Sequence, residues 1–354
     1  MAGETSAAPV QETASTGILP GQHWEQVAQQ VLPPEDGNRD ADSALGADNT
    51  SSTASISSSI YHYRSILGRT YHSEVGRTQY WGANDDRQNE TLDINHHVIN
   101  LVLEGKDYLA PIGENVERVL DVGTGTGIWA IDFGDQMPGA QVIGTDISPI
   151  QPSWVPPNVK FEVEDCTQDW TFASNSFDYI HIRWLVGSIV DWTALFKEAY
   201  RCLKPGGYLE SHDASSVMAS DDGTVAEDSA MGQWSKLWVE AGRKMSQTFQ
   251  VVEHDIQRKS MEAAGFVDIQ EKLFKVPIGS WPADPKQKEI GQFVQLFLEE
   301  DLEGHLTFIS NVILGWSAQQ ILVFAALLRR EMRSNKSHAY YHQKAVWGRK
   351  PASA

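Results

Sequence analysis

The sequence predicts a doubly wound α/β fold: a seven-stranded sheet of five parallel strands plus an edge hairpin, with helices on both faces. Three observations predict it. Short β-rich runs alternate with helical stretches from residue 118 to residue 211, the pattern of a parallel sheet wrapped by crossover helices. A glycine-rich turn joins the first of those runs to a helix, where an α/β sheet binds nucleotides. Two later β-rich runs, 267–277 and 338–347, are placed to pair as sixth and seventh strands at one edge.

The five parallel strands are predicted over residues 118–122, 141–145, 159–163, 177–183 and 207–211. Pro138-Gly139, Pro156-Pro157 and Lys204-Pro205-Gly206-Gly207 supply turns between them. Helices are predicted over about 127–136 and 192–203, then up to about Met245 and over 251–264, with Gly265 as a helix terminator. Residues 1–59 are rich in Ala, Ser, Thr and Gly and too poor in apolar area to offset their ordering entropy, so they read as a disordered tail with one short helix near 24–31. Residues 60–111 regain aromatic and apolar side chains, the second half at helical spacing, and read as a helical cover for the domain at 112–351. The stretch 278–337 carries two amphipathic helices, 285–300 and 317–334, and an insertion of that length reads as a substrate lid.

Composition narrows the function. With 354 residues and 41% hydrophobic content the chain can bury a full core. Lys and Arg total 28 against 47 Asp and Glu, a net charge of -19 that repels phosphate backbones and argues against direct nucleic-acid binding. Cys166 and Cys202 lack the spacing of a disulfide framework or a zinc site, so no metal is expected and a reducing compartment, cytoplasmic or nuclear, fits best. The longest apolar run, 321–328, is too short to span a bilayer, and no secretory signal is evident.

The most informative stretch is Asp121-Val122-Gly123-Thr124-Gly125-Thr126-Gly127-Ile128. Glycines at Gly123, Gly125 and Gly127 let the main chain turn sharply and approach a ligand. A nicotinamide-dinucleotide site would carry its next glycine at position 128, which is Ile128. Asp121 would repel a pyrophosphate but favours a ligand bearing an ammonium and a sulfonium, as S-adenosylmethionine does. Asp146, at the end of the second strand, is placed to accept the ribose hydroxyls, with Ile147 beside it. Asp165 follows the third strand and can accept the adenine amino group, with Cys166 at the ring edge. One such Asp is most often a helix cap or turn residue; three at successive strand ends in this order favour a cofactor site.

These residues, with Leu203-Lys204-Pro205-Gly206-Gly207-Tyr208-Leu209, match class I methyltransferases. The chain resembles the fungal LaeA-like family more closely still. Tyr71-His72, Leu92-Asp93-Ile94, Gly127-Ile128-Trp129-Ala130-Ile131, Asp146-Ile147-Ser148-Pro149-Ile150-Gln151-Pro152, Lys275-Val276-Pro277-Ile278-Gly279 and Gly348-Arg349-Lys350-Pro351 carry the likeness from about residue 60 to the end. The resemblance implies an S-adenosylmethionine-dependent methyltransferase acting on a small-molecule acceptor in fungal secondary metabolism. The alternative it implies is a nuclear regulator working through velvet-type protein partners.

Methyl transfer from a sulfonium depends chiefly on alignment, with a base useful when the acceptor must lose a proton. Candidates beyond the fourth and fifth strands are His181, Arg183, Glu210, His212 and Asp213, with Trp184 as an aromatic wall. His212, expected just past the fifth strand, is the better candidate base. His181 reads either as a second catalytic candidate or as a buried hydrogen-bonded histidine. Arg183 reads as a cofactor contact. Tyr61, Tyr63, Tyr71, Tyr80 and Trp81 form either a cover over the cofactor or simply core. Phe293, Leu296 and Phe297 with Ile321, Phe324 and Leu328 either line an apolar acceptor pocket or pack the lid helices together.

Overall fold

The computed structural model describes residues 17–31, 63–73 and 80–352. Its elements run α1 (Gly21–Val31), the hairpin β1 (Arg64–Ile66) and β2 (Arg69–Tyr71), α2 (Asp86–Val102), β3 (Arg118–Val122), α3 (Ile128–Gln136), β4 (Gln141–Asp146) and β5 (Val159–Val163). There follow β6 (Phe177–Arg183), α4 (Trp192–Cys202), β7 (Leu203–Ala214), α5 (Ala230–Met245), α6 (Ile256–Ala264), β8 (Val267–Pro277), α7 (Pro285–Glu300), α8 (Leu302–Thr307), a π-helical turn Phe308–Ile313, α9 (Ala318–Arg333) and β9 (Tyr340–Arg349).

The main sheet has the order β5-β4-β3-β6-β7-β9-β8, and β3 is the strand from which the chain winds first one way and then the other. Val122 stands opposite Thr145 on one side and Ile182 on the other, so the carboxyl ends of β3, β4 and β6 lie level. That switch point is where a doubly wound sheet leaves a crevice. Successive residues of the strands serve opposite faces: Val119, Val142 and Tyr179 pack under Trp129 and Phe133 of α3, while Leu120, Ile143 and Ile180 enter the larger cluster on the other face.

Several expectations are amended. β7 runs to Ala214 rather than stopping near Ser211, because β9 pairs with it antiparallel as far as Ala214 opposite Gln343. The cover at 60–111 is a hairpin followed by one helix rather than helical throughout. The short helix expected near 24–31 in the segment read as a disordered tail is present as α1, and it is docked rather than free: Trp24 is buried and meets Phe324 of α9 edge-on at 4.9 Å. The rest of that segment, apart from residues 17–20, lies outside the described residues. The insertion between β8 and β9 holds a third helix, α8, and the π-helical turn, neither of which was expected. It packs into the molecule, α7 along α2 and α9 along α1 and α5.

Candidate active site

The loop after β3 is shaped by its glycines. Gly123, Gly125 and Gly127 have φ of 69°, 59° and 82°, the left-handed region that other residues enter at a cost. A Cβ on Gly127 would stand 2.3 Å from the Phe161 ring. Asp146 then ties this loop to the end of β4: its two oxygens accept from the main-chain nitrogens of Gly125 and Ser148, each at 2.9 Å. Burial lifts the Asp146 carboxyl to about 6 against those hydrogen bonds, with the negative charge of Asp121 adding to the rise.

The crevice above this loop has a volume of about 1020 Å³, and Gly123, Gly125, Asp146, Ile147, Asp165, Cys166 and Arg183 all line it. Arg183 donates to Nδ1 of His96 at 2.9 Å, and His96 in turn meets Asp132 at 2.9 Å. The guanidinium therefore rests on a ring and makes no ion pair among the described residues.

Four expected residues do not line the crevice. Asp121 is buried beneath the loop, taking Thr124 Oγ1 at 2.5 Å and His181 Nδ1 at 2.7 Å. Gly127 shapes the turn from the α3 side. His181 lies flat on Trp129, ring centroids 3.7 Å apart, with its Nδ1 turned to Asp121. His212, the preferred base, is a correction of a different kind. Because β7 continues past it, the ring is enclosed in the sheet layer, where Nε2 meets Gln343 at 3.0 Å, and burial holds it neutral with a pKa near about 3. It lines neither cavity of the site. Glu210 is likewise occupied, accepting from the main-chain nitrogens of Leu109 and Ala110.

The sequence reading missed Asn84, Asn95 and Ser188, which complete the crevice wall beside Tyr80. Both side-chain polar atoms of Asn84, Oδ1 of Asn95 and Oγ of Ser188 are buried without a hydrogen-bond partner. Orphaned polar atoms of this kind are costly unless a ligand satisfies them. The sequence signal for Asn84 was a polar residue beside an otherwise core-forming stretch, Trp81-Gly82-Ala83-Asn84; Asn95 and Ser188 had none.

Beside the crevice is a second cavity of about 600 Å³, walled by Trp81, Trp184, Trp234, Trp238, Phe249 and Phe297. Two short segments separate the two spaces. Tyr80 faces the crevice and Trp81 the chamber; Leu185 faces the crevice, Val186 the chamber, and Trp184 borders both. Trp184 is held with φ of 58° by the bond from its nitrogen to the His212 carbonyl at 3.0 Å. Of the aromatics expected to cover the cofactor, Tyr80 does line the crevice, Trp81 lines the chamber, and Tyr71 is core against Phe308. Tyr61 lies outside the described residues. Of the apolar positions in the insertion, Phe297 reaches the chamber, whereas Ile321, Phe324 and Leu328 are core and Leu296 is exposed.

A glycine loop at the end of the central strand, carboxylates at the ends of the next two strands, and orphaned amides opposite a guanidinium suit a zwitterionic adenosyl ligand, and the fold is that of the class I S-adenosylmethionine-dependent methyltransferases. The chain belongs to the methyltransferase-domain family, whose pattern matches residues 94–271, and within it to the LaeA-like group. It is 38% identical over 309 residues to methyltransferase pytC of Aspergillus terreus, spanning 87% of this chain and 94% of that one. It is 36% identical to the secondary metabolism regulator LAE1 of Cochliobolus heterostrophus, over 80% of this chain and 94% of the other. The probable methyltransferase tdiE of Emericella nidulans is 31% identical over 76% of this chain and 83% of its own length. Among the described residues no helix is long and apolar enough to cross a membrane.

Proposed function

We propose that this methyltransferase acts on a small, largely apolar molecule of fungal secondary metabolism, bound in the aromatic chamber beside the cofactor crevice. The observation that carries this is the shared wall: Trp184 borders both cavities, so an acceptor in one lies next to a cofactor in the other. The chamber's lining of rings gives an apolar acceptor contact with few polar demands.

S-adenosylmethionine supplies an electrophilic methyl group on a sulfonium. The residues of the chain hold and orient. Asp146 and Ile147 would grip the ribose, Asp165 and Cys166 the adenine edge, and Arg183 with Asn84 and Asn95 the amino-acid end, where a carboxylate would meet the guanidinium. Gly123 and Gly125 leave the main chain bare for close approach. The aromatic wall excludes water and fixes the acceptor's angle of approach, which is the main lever available to a displacement that creates no new net charge.

A second reading draws on the 36% identity to LAE1: a regulator, cytoplasmic or nuclear, that uses the same fold through velvet-type protein partners. One experiment separates the two. Purified protein is given methyl-labelled cofactor and a fungal extract, and label is counted in organic-soluble and protein fractions. Label in the organic-soluble fraction, lost in a Trp238→Ala variant, supports the small-molecule reading; label only in protein, or none with a stable co-purifying partner, supports the regulator.

A further inference from the structure

The chamber contains one polar group whose geometry is set up for proton transfer. His305, on α8, lies among the chamber rings, 5.3 Å from Phe297 edge-on, and Phe297 is 6.2 Å from Trp184 at the crevice wall. Its Nδ1 is 2.7 Å from the Asp301 carbonyl oxygen. A carbonyl only accepts, so Nδ1 carries the proton and the lone pair of the neutral ring is on Nε2. Among the described residues no group is hydrogen-bonded to Nε2, and it is not one of the enclosed orphan atoms. It therefore faces the chamber that the ring lines.

The support behind the ring is rigid. Asp301 caps α8, and its carboxylate is gripped by both terminal nitrogens of Arg69, at 2.7 and 2.6 Å, while Arg69 also clamps Asp85 at the start of α2. Arg87 approaches the same carboxylate at 3.4 Å. Burial keeps the His305 ring below its ordinary pKa, with Asp301 pulling the other way and Arg69 and Arg87 adding to the lowering. The remaining chamber lining among the described residues holds no Lys, Arg, Asp or Glu, so a carboxylate acceptor finds no cation there and an ammonium no anion. A neutral hydroxyl on an aromatic ring fits both the walls and the single acceptor nitrogen. A phenol also needs the help, since its proton is held to about pH 10 in water.

We propose that His305 is a catalytic residue, its Nε2 taking the proton from the phenolic hydroxyl of an aromatic acceptor seated in the chamber. The inference rests on the chamber being the acceptor site. The O–H bond breaks with its pair left on oxygen, the proton goes to the Nε2 lone pair, the oxygen pair forms the O–CH3 bond, and the S–CH3 pair returns to sulfur in the departing thioether.

The test uses 4-nitrophenol as probe, added to full-length protein with methyl-labelled S-adenosylmethionine to read transfer and with S-adenosylhomocysteine to read binding. His305→Asn, which keeps a donor toward the Asp301 carbonyl, and His305→Gln are expected to bind the probe as wild type does. Labelled-methyl transfer to the probe should fall about 100-fold in both below the probe's solution pKa, and the loss should shrink above it, where the phenolate needs no base. Unchanged S-adenosylhomocysteine affinity reports that each variant is folded, and if one is not, the other decides. A transfer rate equal to wild type below that pH in the folded variant, or a loss of the same size above it, overturns the role of His305. If the probe does not bind, or binds wild type and Trp238→Ala alike, the chamber is not the acceptor site and the functional reading fails with it.

Discussion

The crevice and the chamber stand side by side and are built in opposite ways. The crevice is assembled mostly from the ends of four neighbouring strands and the loops that follow them, between Gly123 and Ile189, with one strip added by residues 80–95. Its working groups are main-chain turns and carboxylates. The chamber draws on Trp81, Trp184, Trp238, Phe249, Phe297, His305 and Tyr341, scattered over most of the described chain, and its working groups are rings. A ligand recognised by shape and charge can be served by a local motif; a space for an apolar acceptor exists only where distant elements leave it.

The sharpest way to break that contrast is at Asp146. Asp146→Ala removes the carboxylate that ties Gly125 to Ser148, and is expected to lower S-adenosylhomocysteine affinity 100-fold or more by titration calorimetry, about 3 kcal/mol. On the chamber side, Gly187 has φ of 71° and a Cβ there would stand 1.9 Å from the Phe249 ring. Gly187→Ala should therefore cost about 2 to 3 kcal/mol in urea unfolding. Trp238→Ala should cut methyl transfer to a chamber-bound acceptor roughly 30-fold, about 2 kcal/mol, while leaving S-adenosylhomocysteine affinity as it was. If the cofactor affinity drops equally, the two cavities are not separate sites.

A smaller effect divides the crevice itself. Arg183→Met should weaken S-adenosylhomocysteine about 10-fold yet leave 5′-methylthioadenosine, which lacks the amino-acid end, unaffected. Equal losses for both ligands would move Arg183 away from the carboxylate.

A further prediction concerns pH. Asp213 is buried next to the chamber wall, accepting from the main-chain nitrogen of Val186 at 3.0 Å, and burial lifts its carboxyl from 3.8 to about 8. The folded protein then keeps a proton that the unfolded chain gives up over that window. Stability should fall as pH rises through it, by up to about 1.4 kcal/mol per pH unit from this group. Asp213→Asn should flatten that part of the profile in melting curves.

The alternation of strands and helices was legible because each strand here is short, apolar and bounded by its own turn residues, and the parallel order and edge hairpin followed. Asp146 and Asp165 were legible as crevice residues because strand ends in a level parallel sheet converge on one line. Asp121 was misplaced by half a strand's pleat: it faces His181 under the loop rather than the crevice. His212 was misjudged because nothing local shows that β9 prolongs β7 past Ser211 and turns a loop position into an enclosed one. The amide of Asn95 gave no local sign, since an isolated Asn reads as surface until packing buries it.

The sequence by itself determined the sheet, the glycine turn and the acidic strand ends, because strand period, turn residues and charge act over a few neighbouring positions. Only the tertiary structure decided which histidine faces the chamber. Asp121 and Gln343 engage His181 and His212 inside the sheet layers, while Asp301, fixed by Arg69, takes only Nδ1 of His305 and, among the described residues, no group engages its Nε2 toward the chamber. Those contacts join residues 60, 131 and 232 positions apart in the cases of His181, His212 and Arg69, separations across which no local pattern carries information.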